Sequence, residues 1–166
     1  KRPIAIHCYQ QSPNCMNPTV LCYGGICVDN IIHVPYMPTP GVATTPTHQQ
    51  YQLGGGATLT SVWLAHWGIP VYLSGNAIGT DHYAEQILSW LRVYPTFDNS
   101  YIRQLPDVIT PYSHAIIPPD GDRYLIEIGF TTAPMVDATE IALADIDILT
   151  VNFYYNNPVQ ETSRLT

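Results

Sequence analysis

The sequence predicts an α/β protein built on a mostly parallel sheet. Between residues 48 and 92, a strand, a glycine loop and a helix follow one another twice, and further apolar runs lie on either side of this unit. This order is typical of parallel strands joined by right-handed helical crossovers. At 166 residues, the chain has the length of one domain with a substantial core.

The first predicted strand is the apolar run 19–28, which contains β-branched residues and is interrupted by Gly24-Gly25. Residues 31–34 extend it. Residues 1–18, which precede it, contain three prolines and are predicted to be a loose leader. Four prolines in residues 35–47 exclude a central strand there. A short polar and aromatic strand, 48–53, then leads into Gly54-Gly55-Gly56.

A helix is predicted over residues 57–67, between the glycines and Gly68. Its large apolar residues recur at helical spacing, so we expect them to share one face that packs inward. These residues are Leu59, Val62, Trp63 and Trp67. The apolar run 71–74 is the next predicted strand.

The second half of the unit follows the same pattern. Thr80 or Asp81 is expected to cap a helix over 82–92 that turns Ile87, Leu88 and Leu91 inward. The runs 112–117 and 123–128 flank a turn with an Asp-Gly step and predict a β-hairpin. A short helix is expected at 137–143 and a buried parallel strand at 146–151.

Composition excludes several classes of function. The net charge of −7 and the scattered cations argue against nucleic-acid binding. No apolar run approaches the roughly 18 residues of a membrane-spanning helix, and no secretory signal is recognisable, so we expect a cytoplasmic protein. The four cysteines (Cys8, Cys15, Cys22 and Cys27) then predict reduced thiols. The alternative is a metal site that they form with His7, His33 or His48.

The glycines at 54–56 do not belong to a familiar nucleotide-binding motif. A P-loop requires a lysine after its glycines, and this chain has no lysine after Lys1. A Rossmann fingerprint requires a sixth-position glycine, where Leu59 stands. The sequence also lacks the Gly-x-Ser-x-Gly elbow of serine hydrolases. The glycines therefore predict a close backbone approach to a ligand other than a phosphate.

Asp29 is the candidate polar partner of these glycines. It directly follows the first predicted strand, at the edge of the sheet where parallel sheets bind ligands. One carboxylate there can accept hydrogen bonds from two adjacent sugar hydroxyls. The alternative is an aspartate that caps a turn beside Asn30.

Taken together, these segments resemble the PfkB carbohydrate kinases, the ribokinase-like sugar kinases. Gly24 to Asp29 resembles the first strand of that family, residues 54–68 its first signature, and residues 75–81 its next loop. The hairpin at 112–128 falls where the family has lid strands, and residues 147–152 where a core strand reaches the rim of the site. The resemblance covers residues 20–155.

The resemblance implies that residues 19–166 form the N-terminal part of a kinase domain, a three-layer αβα sandwich of Rossmann type that is incomplete at its C-terminus. It also implies a small β-sheet lid at residues 31–53 and 112–128. It also implies that Asp29 holds sugar hydroxyls, that the backbone of Gly54 and Gly55 approaches the sugar, and that Asn152 is a further candidate. A homodimer through the lid strands, ATP and Mg²⁺ are likewise implied.

Three departures from the family pattern change the expectation. Leu59 and Cys27 stand where asparagines are frequent, which makes a ribose site unlike the usual one. The second signature, Gly-Ala-Gly-Asp, which supplies the anion hole and catalytic base, does not occur, and neither do the ATP- and Mg²⁺-binding motifs. We therefore expect a truncated sugar kinase with no catalytic residue in this segment. Alternatives are a non-catalytic sugar-binding module or an interaction module formed by the lid strands.

Overall fold

A computed structural model describes residues 18–152, whose strands form two four-stranded sheets. The first sheet has the order β5-β4-β1-β8, and every neighbouring pair in it is parallel. The second has the order β3-β2-β6-β7. The strands are β1 Val20–Gly24, β2 Cys27–His33, β3 His48–Gly54, β4 Val71–Gly75, β5 Phe97–Asp98, β6 Tyr112–Ile117, β7 Tyr124–Ile128 and β8 Ile148–Asn152.

The first sheet is covered on both faces around β1, as the predicted α/β class requires. Helices α1 (Gly56–His66) and α2 (His82–Leu91) pack on one face, around buried residues such as Val20 and Leu73. Leu21 points to the opposite face, where Val136 and Ile141 cover it. The mostly parallel sheet with its helices is confirmed.

The second sheet contains the segments where the family resemblance implies a lid. The β2–β3 and β6–β7 pairs are antiparallel, as in hairpins, and β2 and β6 are parallel. The predicted hairpin at 112–128 is confirmed. One face of the sheet packs on α2 through an aromatic cluster, in which the ring centroids of Tyr83 and Tyr112 lie 4.5 Å apart.

The predicted strand 19–28 is wrong as a single element. The chain leaves the first sheet at Gly24, which has a φ of 154°, and enters the second sheet at Cys27. Asp29 is therefore the third residue of β2 rather than the residue after a core strand. Two apolar strands that belong to different sheets give one continuous apolar run in the sequence, because both are buried.

The predicted inward face of α1 is wrong for three of its four residues, while Val62 packs against the core as expected. Trp63 and Trp67 are 59% and 67% exposed, and Leu59 is 42% exposed. The buried face carries small residues instead: Ala57, Thr58, Ser61 and Ala65. The hydroxyl groups of Thr58 and Ser61 are satisfied by backbone carbonyls, so these side chains can lie against the sheet at close range.

The segment before β8 differs from the expected helix at 137–143. It forms two short 3-10 turns, Ala138–Glu140 and Leu143–Asp145. The Asp137 carboxylate accepts hydrogen bonds from the backbone and hydroxyl of Thr139, and such local bonds compete with a helix. Strand β8 is parallel to β1 as predicted, but it is not buried: Leu149 is 52% exposed.

Helix α2 agrees with its prediction. The Asp81 carboxylate accepts a hydrogen bond from the Ala84 amide at 3.0 Å and so caps the helix. Ile87 and Leu91 are buried, and Leu88 packs against the same core. No helix in residues 18–152 is long and apolar enough to cross a membrane.

The rest of the predicted leader, with His7, Cys8 and Cys15, lies outside the described residues, as does the chain beyond Asn152.

Candidate functional site

Two glycine links cross at the carboxyl ends of the parallel strands. One joins β1 to β2 through Gly25, and the other joins β3 to α1 through Gly55. The Gly55 backbone has a φ of 88°, and a Cβ at this position would collide with the carbonyl of Gly25. The two links can therefore touch only because residue 55 has no side chain, whereas a Cβ on Gly25 would lie no nearer than 3.5 Å to its neighbours.

Buried polar side chains hold this crossing in place. The Asn76 amide accepts a hydrogen bond from the Ile26 N–H at 2.8 Å and donates to the Ile26 carbonyl at 3.0 Å. The Thr58 hydroxyl donates to the Gly25 carbonyl at 3.1 Å. Since Asn76 is only 2% exposed, these bonds replace water as the partner of the Ile26 backbone.

Asp29 faces the second of these links. A Cβ on Gly54 would lie 2.5 Å from Oδ2 of the Asp29 carboxylate, so the two residues approach as closely as a glycine allows. The Ser113 hydroxyl donates to Oδ1 of Asp29 at 2.7 Å. Among the described residues, Oδ2 accepts no hydrogen bond, and it is therefore available to a ligand.

Strand register extends Asp29 into a row of polar residues across the second sheet. Asp29 pairs with Gln52 on β3 and with Ser113 on β6, and Ser113 pairs with Glu127 on β7. All four side chains line one cavity of about 340 Å³. We call this set (Gln52, Asp29, Ser113 and Glu127) the polar row.

The cavity lies between the second sheet and the start of α1. Gly55, Gly56 and Leu59 line it from the helix side, and no side chain caps this helix start within residues 18–152. The amide groups of the first turn of a helix attract electron-rich atoms such as hydroxyl oxygens. The cavity thus joins hydrogen-bond acceptors on the sheet to donors on the helix.

Asn152 reaches the same place from β8. A Cβ on Gly56 would collide with the Asn152 side chain, and the Asn152 carbonyl accepts a hydrogen bond from the Gly25 amide at 3.3 Å. Strands β1 and β8 are adjacent, while β4 lies on the other side of β1. Asn152 therefore stands at the point where the strand order reverses, the usual ligand position in open parallel sheets.

Cys27 lines the cavity as a protonated thiol. Burial raises the pKa of this thiol well above its ordinary value, and the negative charges of Asp29 and Glu127 raise it further. Its sulfur lies 3.9 Å from Oδ1 of Asp29. Cys27 and Cys22 are both free cysteines. A neutral thiol makes this wall of the cavity weakly polar and unreactive.

The structure brings together the four residues that were predicted to bind the substrate. Asp29, Gly54, Gly55 and Asn152 converge on the glycine crossing. What each of them binds stays a prediction.

Sequence reasoning missed Asn76, Ser113, Glu127 and Arg123, of which the last three line the cavity. Alternation along the predicted hairpin offered a signal, since Ser113 and Glu127 are paired across it.

Neither a metal nor a nucleotide is assigned to these residues. Residues 18–152 contain no cluster of three His, Cys, Asp or Glu side chains that could hold a metal ion. Arg123 is the one cationic residue that lines the cavity described above. The polar groups that line the cavity suit the hydroxyl groups of a ligand and do not suit a triphosphate with its Mg²⁺.

Neither a protein-family model nor a curated protein matches the sequence. Solved structures do match. The ribokinase of Cryptococcus neoformans var. grubii serotype A in complex with ADP is 20% identical, with a TM-score of 0.66 over 87% of this chain and 43% of that chain. The nucleoside kinase of Methanocaldococcus jannaschii, an archaeal member of the ribokinase family, is 17% identical, with a TM-score of 0.65 over 82% and 44%.

A third match is the ribokinase of Arabidopsis thaliana complexed with ribose and ATP. It is 18% identical, with a TM-score of 0.58 over 68% of this chain and 36% of that chain. These likenesses show that the chain has the ribokinase-like fold. The chain spans less than half the length of each of these three structures.

Proposed function

We propose that this ribokinase-like chain is the acceptor-binding part of an ATP-dependent kinase that acts on a sugar or a sugar-containing molecule. The observation that carries the proposal is the approach of the cavity-lining Asp29 to Gly54, with no hydrogen bond to Asp29 Oδ2 among the described residues. A carboxylate with one oxygen held by Ser113 is fixed in position, so it can orient a hydroxyl group without rotating. The matched ribokinase and nucleoside kinase structures support the kinase assignment.

The second sheet is proposed to act as the lid, over the segments 31–53 and 112–128. It carries the polar row, and its other face rests on α2. A sheet that closes over a bound acceptor excludes water from the reacting hydroxyl group and so protects the phosphoryl donor from hydrolysis. Gly54, Gly55 and Asn152 are proposed to shape the opposite wall.

ATP, its Mg²⁺ and the catalytic base are proposed to be bound or supplied outside this sequence. The Gly-Ala-Gly-Asp motif is absent from the 166 residues. We expect the chain to bind its acceptor without turning over ATP, and a coupled assay for ADP release measures this. Sugar-dependent ADP release by the purified chain would contradict this division. Because the donor is ATP and Cys22 and Cys27 are free thiols, a cytoplasmic location is proposed.

The test of the proposal is a binding experiment with Asp29→Asn. Isothermal calorimetry against a panel of sugars and nucleosides identifies the acceptor of the unmodified chain. We expect Asp29→Asn to weaken its binding about 10- to 100-fold, because hydrogen bonds to a charged group contribute about 1.5–3 kcal/mol each. Asp120→Asn, in the exposed hairpin turn, is the matched control and should leave the Kd unchanged. An unchanged Kd for Asp29→Asn would refute the role given to this carboxylate.

A second candidate function is self-association through the edge of the second sheet. Strand β7 is an edge strand, and Tyr124, Leu125 and Ile126 in it are each about half exposed. Unpaired edge strands with exposed apolar side chains pair readily with another chain. Light scattering should then show a dimer that Ile126→Lys dissociates. A monomer at all concentrations would exclude this function. A sugar-binding module without catalysis is a separate alternative, and only the ATP assay of the complete reading frame distinguishes it from the kinase.

A further inference from the structure

The cavity extends well beyond the polar row. Residues two positions apart on a strand face the same side, so the strands carry further rows at spacings of about 7 Å. The next row contains Ile31 on β2, Ala115 on β6 and Leu125 on β7, which are paired in register. All three line the cavity, and we call them the apolar row.

The apolar row offers a surface for a ligand group that is not a hydroxylated ring. Its side chains have no hydrogen-bonding atoms, and Leu125 is 50% exposed in the absence of a ligand. Leu59 adds to this surface from α1. Covering such a surface with apolar atoms is favourable, whereas covering it with hydroxyl groups costs their hydration.

Arg123 lies at the outer end of the cavity. Ile116 pairs with Tyr124, so Ile117 and Arg123 come next outward, and both line the cavity. This outer position is about 13 Å from the polar row, two row spacings away. In the part of the chain that the structure describes, no carboxylate lies within salt-bridge distance of the Arg123 guanidinium; Arg103 pairs with Glu140 instead. Arg123 is thus free to meet an anion.

We propose that the acceptor is an extended molecule, with a hydroxylated ring at the polar row, an aromatic or aliphatic substituent on the apolar row and an anionic end at Arg123. The placement of the ring rests on the proposed function, while the other two contacts do not. A single sugar ring held at Asp29 leaves the apolar row largely uncovered. Leu125 and Arg123 are therefore specificity-determining residues that distinguish a substituted sugar from a free one.

The experiment is calorimetry of the 166-residue chain with matched probes. These are D-ribose, phenyl β-D-ribofuranoside and 4-carboxyphenyl β-D-ribofuranoside, with the same three forms of glucose. For at least one sugar, we expect the phenyl glycoside to bind at least about tenfold more tightly than the free sugar, and the carboxyphenyl glycoside to bind more tightly again. The inference is overturned if, for both sugars, the free sugar binds as tightly as its phenyl glycoside, or if no probe binds at millimolar concentration.

Two variants test which residue provides each gain in affinity. Leu125→Ala, at a half-exposed position, should remove most of the gain from the phenyl group. Arg123→Gln should remove the gain from the carboxylate and keep that from the phenyl group. If neither variant changes any Kd, the inference is wrong. If both behave as expected while Asp29→Asn changes nothing, the extended ligand stands and the proposed role of Asp29 fails.

Discussion

Replacing Asn76 by alanine should destabilise the protein more than any surface substitution. Asn76 directly follows β4, and its side chain connects that strand end to the link between β1 and β2. Its amide makes three hydrogen bonds: with the Ile26 N–H at 2.8 Å, the Ile26 carbonyl at 3.0 Å and the Ala77 carbonyl at 3.1 Å. Alanine removes all three.

The size of the loss in stability follows from the backbone groups that the alanine variant leaves without partners. Ile26 is 1% exposed, so its N–H and carbonyl would be left buried without partners. Each such orphaned group costs about 1–3 kcal/mol, which predicts a loss of about 2–6 kcal/mol from the two. A domain of this size is stable by about 5–15 kcal/mol, so the loss is a large part of the total.

Urea unfolding followed by tryptophan fluorescence measures this loss. Asn99→Ala is the matched control because Asn99 is exposed and its side chain makes no hydrogen bond among the described residues; we expect a change within about 0.5 kcal/mol. Asn76→Asp should be at least as damaging as alanine at pH 7, since an ionised carboxylate can accept from Ile26 N–H but cannot donate to either carbonyl. A loss below about 1 kcal/mol for Asn76→Ala would refute the reasoning.

Three further predictions follow from the site and its supports. Gly54→Ala places a Cβ 2.5 Å from Asp29 Oδ2 and should weaken acceptor binding at least about tenfold in calorimetry. Gly25→Ala is the control and should stay folded, because its Cβ has no neighbour nearer than 3.5 Å. Acceptor binding by Gly54→Ala that is as tight as in the unmodified chain would contradict the geometry. Asp81→Ala should cost about 1–2 kcal/mol in urea unfolding at pH 7. Burial raises the pKa of the Asp81 carboxyl, but hydrogen bonds outweigh this and leave the pKa below its ordinary value. Its contribution is therefore full above about pH 4 and is lost as pH falls through the folded-state pKa, so the difference between wild type and variant should shrink at pH 3; a constant difference would argue against this linkage. Cys27, whose thiol pKa is raised by burial, should react with iodoacetamide at pH 8 at least about tenfold more slowly in the folded than in the urea-unfolded chain, as followed by mass spectrometry, and equal rates would show that the thiol is accessible.

Local patterns were sufficient where an element's own residues decide its conformation. The Asp81 cap and the spacing of Ile87 and Leu91 identify α2, because both signals lie within one helix. The Asp-Gly turn identifies the 112–128 hairpin for the same reason. The glycines at 54–56 predicted a close backbone approach to a ligand; the structure shows Gly54 close to the Asp29 carboxylate, and the approach to a ligand stays a prediction.

The buried face of α1 does not follow from the size of its side chains. The large residues Trp63 and Trp67 were expected inside, yet the helix lies on the sheet through Ala57, Thr58 and Ser61. The periodicity of the sequence shows that the helix has two different faces. Which face is buried depends on how closely the sheet approaches, and that distance is not a local property.

The sequence by itself determined the α/β class, the glycine links and four of the residues that meet at the site, Asp29, Gly54, Gly55 and Asn152. Only the tertiary structure decided that the run 19–28 divides between two sheets and that Asp29 belongs to the second. It also decided that Ser113, Glu127 and Arg123 share one cavity with Asp29. The physical reason is that register between strands is set by pairing across 84 residues of chain, as between Asp29 and Ser113, and no local pattern encodes it.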